Sequence, residues 1–151
     1  MKKAFTLVEI LIVVAILGIL AAIVVPQFQS HSQQAKEAAA KDNLRILRNL
    51  IELYAARHND VPPGYINNDP SQSVGYRALA DQLIVIGNYL PAYPENPFNG
   101  RNSIRLIQNN EAFPTEAQLF DSWGWVYKAA TKEIRLNWPG TDSSGVSYFD
   151  Y

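Results

Sequence analysis

The sequence predicts an α+β protein in which one long N-terminal helix packs on a small head with a short helix and an antiparallel sheet. Three observations predict this fold. Residues 5–26 form an apolar run, and residues 27–59 are amphipathic and contain neither glycine nor proline. Residues 60–151 contain short segments of alternating polarity that turn residues separate. Helical and strand patterns in separate parts of the chain are typical of α+β proteins.

The composition limits the classes of protein to which the chain can belong. Its 151 residues suffice for one small domain with an appendage. The net charge of −1 gives no general attraction to nucleic acid, which makes a nucleic-acid partner improbable. Because the chain contains no cysteine, disulfides, thiolate metal sites and cysteine nucleophiles are excluded.

The N-terminal run is long enough to cross a membrane. Ile10–Val25 is an unbroken series of apolar residues and glycine, and a helix from Phe5 to Val25 spans about 30 Å. Lys2 and Lys3 precede it and predict a cytoplasmic N-terminus. Glu9 is the one ionisable residue of the run, and a carboxylate is costly to place in hydrocarbon. The presence of Glu9 therefore predicts that its carboxylate has a functional role.

Three interpretations of this run compete. A secretory signal peptide needs a cleavage site of small residues after the apolar centre, but Ala38–Ala40 lie far beyond it. A plain membrane anchor fits the length and leaves Glu9 unexplained. Cleavage before the run would retain it and create an amine that pairs with Glu9, offsetting part of the desolvation cost of both charges. Only the third interpretation uses every feature.

The stretch KAFTLVEILIVVAILGILAAIVVP resembles the class III leader and first helix of type IV pilins and type II secretion pseudopilins. The resemblance implies that a prepilin peptidase cuts between Ala4 and Phe5 and methylates the new amine of Phe5. Glu9 and Pro26 then become the fifth and twenty-second mature residues, the positions that the family uses in assembly. Ala4 departs from the family pattern, in which glycine is usual at this position, and we expect cleavage to tolerate alanine because it is also small.

The resemblance also implies a function and a set of partners. The chain is expected to be a structural subunit and not an enzyme. It is expected to sit in the bacterial inner membrane by a single pass, with its head in the periplasm or outside. Other pilins or pseudopilins, the prepilin peptidase, an inner-membrane platform and an ATPase are the implied partners. The predicted parts are a cleaved leader, a transmembrane and filament-core helix, an amphipathic helix and a head, at residues 1–4, 5–26, 27–59 and 60–151.

A hypothesis from another class stays open at this point. The helix could merely tether a single-pass binding module, for which Glu9 has no evident use. The first helix is shared by machines for adhesion, twitching, DNA uptake and secretion. The runs GNYLPAYPENPFNG and SWGWVYKAATKEIRLNW resemble pseudopilin heads, which favours the secretion pseudopilins slightly.

The amphipathic segment needs a partner surface for its apolar face. That face recurs at three- and four-residue intervals at Ala40, Leu44, Leu47, Ile51 and Tyr54. The pattern predicts that this face packs on the head and that Ile46, Leu50 and Leu53 widen it. Pro26 removes one backbone hydrogen bond, so we expect a kink or a loosened turn there.

Turn residues separate the predicted elements of the head. Asn59–Gly64 ends the first helix, and Val74–Leu90 has helical character. Residues 103–108 are predicted to form a strand. Residues 123–138 alternate around a turn at Ala129–Lys132 and predict an antiparallel hairpin, one face of which meets the long helix.

Few residues beyond the apolar run suggest chemistry. His31 and His58 lie about 40 Å apart on a helix and cannot share a site within one subunit. The sequence contains no nucleophile, phosphate-loop or zinc-protease motif. Three tryptophans near basic residues could stack on a sugar or a single-stranded nucleic acid, but core packing explains them more simply.

The C-terminal loop suggests one metal site. Asp142, Ser144 and Asp150 supply oxygen atoms of the kind that calcium prefers. Some major pseudopilins of type II secretion bind calcium in the corresponding loop, so the resemblance raises this possibility. Ordinary turn chemistry of aspartate and serine explains the same residues, which leaves a chain without any cofactor as the alternative.

Overall fold

A computed structural model describes residues 6–118 and 123–151 of the chain. The chain divides into two compact units, one up to Lys36 and one comprising Glu37–Tyr151. Its main elements are α1 (Leu7–Arg57), α2 (Tyr76–Ala80), β1 (Ile104–Ile107), β2 (Trp125–Lys128) and β3 (Glu133–Leu136). One π-helical turn, Asp81–Val85, follows α2 directly. The predicted α+β fold class with a long first helix is confirmed.

The second unit is built around the predicted apolar face of α1. All five residues of that face are almost fully buried, at 0–2% exposure: Ala40, Leu44, Leu47, Ile51 and Tyr54. They form one cluster with α2, the π-helical turn and the sheet, through Leu79, Leu83, Trp125, Tyr127, Ile134 and Leu136. The expected packing of α1 on the head is therefore confirmed.

The residues that widen this apolar face are less buried than its centre. Ile46 and Leu53 are 37% and 41% exposed. Leu50 between them is half-buried. A single small sheet covers only one stripe of the helix surface, so apolar residues beside that stripe stay in contact with solvent.

The sheet has β2 at its centre and is mixed. Trp125 lies opposite Leu136 in the antiparallel pair of β2 and β3, around the predicted turn. Ile104 lies opposite Trp125 in a parallel pair of β1 and β2, where an antiparallel sheet was expected. The connection at residues 108–124 is long enough to return the chain to the same end of the sheet, as a parallel pair requires.

The hairpin side chains alternate between two clusters. Trp125 and Tyr127 face α1, whereas Val126 faces a smaller cluster with Ile107 and Phe149. The tryptophans serve packing. Trp125 is fully buried, Trp123 stacks on Tyr76 with ring centroids 5.4 Å apart, and Trp138 stacks on Phe98 at 5.6 Å.

Buried polar groups fix the loop that contains Pro91, Pro94 and Pro97 on the hairpin. The amide of Asn96, which is fully buried, donates to the carbonyl oxygens of Gly124 at 3.0 Å and Asn137 at 3.3 Å. The indole N–H of Trp125 donates to the carbonyl oxygen of Pro94 at 2.8 Å. Each bond satisfies a polar group that would otherwise be costly to bury. These hydrogen bonds therefore anchor the loop to the rest of the head.

Candidate functional site

The apolar half of α1 is the first candidate site. Its large side chains from Leu7 to Val25 are between 47% and 82% exposed within the described residues. By length and composition it could cross a membrane, and none of its apolar window is buried in the structure. A surface of this size and apolarity is far larger than the patches that soluble monomers expose. It needs lipid or other apolar helices around it.

Glu9 lies in the first turn of α1, where it forms a capping box with Thr6. The hydroxyl oxygen of Thr6 accepts a hydrogen bond from the backbone N–H of Glu9 at 3.2 Å. In return, Oε2 of Glu9 accepts one from the backbone N–H of Thr6 at 3.5 Å. Each side chain thus satisfies one N–H group that the helix start leaves without an intrahelical partner.

The capping box changes the interpretation of Glu9. The carboxylate has a structural partner within its own chain, so even a tether would use it to begin the helix. A carboxylate can accept more than one hydrogen bond, which leaves it able to receive an amine as well. Glu9 alone therefore does not separate a filament subunit from a tethered module. The signal that could have revealed this partner is the spacing Thr-x-x-Glu at the start of an apolar run.

The other predicted assembly residues stay predictions. Ala4 and Phe5, between which we expect cleavage, lie outside the described residues. Pro26 lies within the bounds of α1, and its expected effect on the helix is a matter for mutagenesis.

The C-terminal loop is the second candidate site, and Asp142 organises it. Its Oδ1 accepts from the backbone N–H groups of Ser144 at 2.9 Å and Val146 at 3.0 Å. Its Oδ2 accepts from the hydroxyl of Tyr151 at 2.8 Å and from the ammonium of Lys41 at 3.4 Å. These donors, first of all the Tyr151 hydroxyl, lower the pKa of Asp142 from 3.8 to about 2.

These contacts do not fit a calcium site at the predicted residues. Both oxygens of Asp142 are used by protein donors, and Lys41 places a positive charge beside them. Asp150 instead accepts from the guanidinium of Arg135 at 2.9 Å. Ser144 takes part in the loop through its backbone N–H. Within residues 6–118 and 123–151, no group of three or more histidine, aspartate or glutamate side chains is arranged to hold a metal ion.

Lys41 and Tyr151 are the partners of Asp142 that sequence reasoning missed. Besides sharing Asp142, they interact directly, since the Lys41 ammonium lies 4.2 Å from the centre of the Tyr151 ring. Lys41 is on α1, 101 residues from Asp142. No local pattern in the sequence links positions so far apart.

Comparison with known proteins bears on the N-terminal segment. The sequence model of the prokaryotic N-terminal methylation motif matches residues 1–25. The type II secretion system core protein G of Pseudomonas aeruginosa is 47% identical over 53 residues, which are 35% of this chain and 37% of that protein. Its counterpart in Aeromonas hydrophila is 28% identical over 102 residues, 64% of this chain and 68% of that protein.

The chain is also similar to type IV pilins. The type IV major pilin protein PilA of Myxococcus xanthus is 51% identical over 46 residues, 30% of this chain and 21% of the pilin. The matched stretches thus cover little more than a third of the Pseudomonas protein and about a fifth of the Myxococcus pilin. No solved structure gives a significant match. The motif, the long first helix and relatives of both kinds agree that the N-terminal segment is similar to those of type IV pilins and type II secretion pseudopilins.

Proposed function

We propose that the chain is a structural subunit that assembles into a type IV pilus or a type II secretion pseudopilus. A prepilin peptidase cuts it between Ala4 and Phe5 and methylates Phe5. The apolar half of α1 holds the subunit in the inner membrane, with the head on the periplasmic side or outside. A membrane platform and an ATPase then drive its transfer into the filament. The observation that carries the proposal is the match of residues 1–25 to the methylation motif, together with the exposed apolar half of α1.

The physical argument begins with the two environments of the apolar half of α1. In the bilayer, lipid covers its side chains; in a filament, the helices of neighbouring copies cover them. Transfer between these environments keeps the apolar surface away from water, so it costs little hydrophobic free energy. Charge pairing can then favour the filament, because Glu9 of one subunit can pair with the amine of Phe5 on another.

Between the two machines, we favour the secretion pseudopilus. The alignment with the Aeromonas core protein G covers 64% of the chain, whereas α1 ends at Arg57. It therefore includes part of the head. The alignment with the fimbrial protein of Pseudomonas aeruginosa covers 50% of the chain. The proposal of a filament subunit does not depend on this choice.

Mass spectrometry and electron microscopy test the proposal together. The chain is produced in cells that have the complete assembly machinery and, as a control, in the same cells without prepilin peptidase. We expect the machinery to yield a mass that corresponds to residues 5–151 with one N-methyl group, and filaments that contain the chain. The control should retain residues 1–4 and make no such filaments. A tethered module predicts an intact N-terminus and no filaments in either strain.

A further inference from the structure

A cavity of the head, apart from both candidate sites, lies between the end of α1 and the π-helical turn. Its volume is about 330 Å³, near the lower end of the range for small-molecule sites. Its lining is aromatic and polar and includes Tyr54, His58, Asn68, Asp81, Gln82 and Tyr89. The hydrogen bonds that these side chains already make show which polar groups are left for a ligand.

The aromatic side chains of the cavity hold one another in place. The ring of His58 stacks on that of Tyr54 with centroids 3.9 Å apart, and Tyr89 meets Tyr54 at 5.9 Å in an edge-to-face contact. Tyr54 itself is only 2% exposed. Ile86, which also lines the cavity, is 78% exposed and adds an apolar side chain. Part of the lining is therefore ordered before any ligand binds.

A series of hydrogen bonds fixes the orientation of the Asn68 amide. The backbone N–H of Gly64 donates to Oε1 of Gln82 at 2.6 Å, so the amide nitrogen of Gln82 must point the other way. That nitrogen donates to Oδ1 of Asn68 at 2.7 Å, and the hydroxyl of Tyr54 donates to the same oxygen at 2.6 Å. The oxygen of Asn68 is thus occupied. Its Nδ2, which carries two N–H donors, has no hydrogen-bond partner in the described part of the chain.

The backbone that carries this donor is in a costly conformation. Asn67 and Asn68 have φ angles of 55° and 56°, in the left-handed region that residues with side chains rarely adopt. Such conformations persist only where the surroundings hold them, and they cluster at functional sites. Here the hydrogen bonds from Tyr54 and Gln82 to Asn68 hold the backbone.

Two acceptors complete the polar lining. Nδ1 of His58 lies 2.8 Å from the carbonyl oxygen of Tyr54, a distance that requires a proton on Nδ1. In the neutral ring Nε2 is therefore an acceptor. The second acceptor is the carboxylate of Asp81, whose side chain is 31% exposed. Its partner Arg77 lies 3.5 Å away with a side chain that is 94% exposed, so this ion pair is weak and leaves Asp81 able to bind a ligand.

We propose that this cavity binds one ring of a carbohydrate, a neutral ligand rich in hydroxyl groups. Each hydroxyl both donates and accepts, so neighbouring hydroxyls of one ring donate to Asp81 and His58 and accept from Asn68. Ile86 and Tyr89 offer apolar surface to the C–H groups of the same ring. The inference concerns a single subunit and is independent of the proposed function.

Charged ligands suit the same groups less well. An ammonium has donors alone and would leave the N–H groups of Asn68 without an acceptor. Moreover, the guanidinium of Arg57 already lies 5.5 Å from the centre of the Tyr89 ring, where it repels a second cation. A phosphate or a carboxylate has acceptors alone and would face the negative charge of Asp81. A neutral ligand with donors and acceptors side by side satisfies all three polar groups.

Saturation-transfer NMR on the full chain tests the site, in a detergent without a sugar head group such as dodecylphosphocholine. The probes are the methyl glycosides of glucose, galactose, mannose and N-acetylglucosamine, with tetramethylammonium and acetate as the charged alternatives. We expect at least one glycoside to bind with a Kd of about 1 mM, as a ligand of this size allows, and neither ion to displace it. No glycoside binding at about tenfold above that concentration, or displacement by either ion, would overturn the proposal.

Substitutions that preserve shape place the sugar in the cavity. Asn68→Asp keeps the oxygen that accepts from Tyr54 and Gln82 and replaces the N–H donors, so it should weaken binding about tenfold. Asp81→Asn keeps an acceptor and removes its charge, so its loss should be smaller, about threefold. Circular dichroism checks that both variants are folded. Because Asp81 is partly exposed and its hydrogen bonds to the fold are few, Asp81→Asn remains a test even if Asn68→Asp does not fold.

Two controls separate the cavity from the surface charge. Asp42→Asn removes an exposed carboxylate outside the cavity, which is paired with Arg45. Arg77→Ala removes the ion-pair partner of Asp81 and leaves the carboxylate in place. Both should bind the glycoside as the wild type does. Unchanged affinity in the folded cavity variants, or an equal loss in Asp42→Asn, would overturn the site and leave the proposed filament function untouched.

Discussion

Thr6 and Glu9 satisfy each other's backbone N–H groups at the start of α1, through bonds of 3.2 and 3.5 Å. The carboxylate of Glu9 therefore has a role in one isolated subunit as well as the proposed role between subunits. The two roles depend on different properties. The capping box needs an acceptor at position 9, which an amide also provides, whereas pairing with an amine needs the negative charge.

Substitutions at these two positions separate the roles. We expect Glu9→Ala to insert and to be cleaved normally, since an apolar run without the carboxylate is a better membrane segment. It should assemble poorly, because an unpaired amine buried among apolar helices costs about 3–5 kcal/mol. Glu9→Gln keeps the cap and loses the charge, so its filament numbers should be intermediate. Electron microscopy with immunoblots of the membrane fraction measures both steps.

Thr6→Ala is the matched control, because it keeps the charge of Glu9 and removes half of the capping box. The loss of such a cap costs about 1 kcal/mol, much less than an unpaired charge. Filament numbers should therefore fall less in Thr6→Ala than in Glu9→Ala. Equal losses in the two variants would mean that Glu9 acts through the cap alone.

Pro26→Ala should impair assembly more than folding of the head. Proline lacks an N–H group and disturbs the hydrogen bonding of the preceding turn, and alanine would remove this weak point. We expect normal subunit levels in the membrane and fewer filaments. Measurement of both quantities in the same cells checks this. Wild-type filament numbers would show that flexibility of the helix at position 26 has no part in assembly.

Tyr148→Phe should destabilise the head. The hydroxyl of Tyr148 donates to Oε1 of Glu37 at 2.8 Å, and both residues are less than 9% exposed. Removing the hydroxyl takes a donor from a buried carboxylate, which should lower the free energy of unfolding by about 1–3 kcal/mol. Urea denaturation of the detergent-solubilised full chain, followed by circular dichroism, measures it.

Glu37→Gln is the control for that substitution, because an amide oxygen still accepts from Tyr148 and no charge remains to be buried. Its loss of stability should be smaller. If Tyr148→Phe were as stable as the wild type, the buried hydrogen bond would contribute nothing to the fold.

Asp142→Asn should cost stability in a pH-dependent way. The folded protein lowers the pKa of Asp142 from 3.8 to about 2, chiefly through the Tyr151 hydroxyl. The ionised form is thus favoured in the folded state, and its stabilisation is fully present above about pH 4. It is lost as the pH falls toward 2. The wild type should therefore exceed Asp142→Asn in melting temperature at pH 6 and lose that advantage by pH 2. A difference that stays constant with pH would contradict the ionic role.

Calcium should leave the melting temperature of the wild type unchanged. Protein donors already occupy Asp142, and Arg135 pairs with Asp150. Differential scanning calorimetry with calcium chloride or with a chelator tests this, and magnesium chloride controls for ionic strength. A stabilisation specific to calcium would mean that the ion displaces Lys41 and Tyr151 from Asp142.

Local sequence patterns account for the parts of the protein that depend on neighbours along the chain. The apolar run, the amphipathic face at Leu44, Leu47 and Ile51, and the hairpin around Ala129–Lys132 all follow from local periodicity. Backbone hydrogen bonds and burial stabilise the structures that such patterns form, wherever the patterns occur. The T-x-x-E spacing at Thr6 and Glu9 belongs to the same class, since both partners lie within one helical turn.

Tertiary structure alone decided the features that join distant segments. The parallel pairing of β1 with β2 joins two strands that are far apart along the chain, and no periodicity encodes such a pairing. The exposure of Ile46 and Leu53 depends on how much of α1 one small sheet can cover. Lys41 and Asp142 meet only because the head folds back on the helix. Contacts across such separations reflect the packing of the whole head, and a local pattern carries no record of that packing.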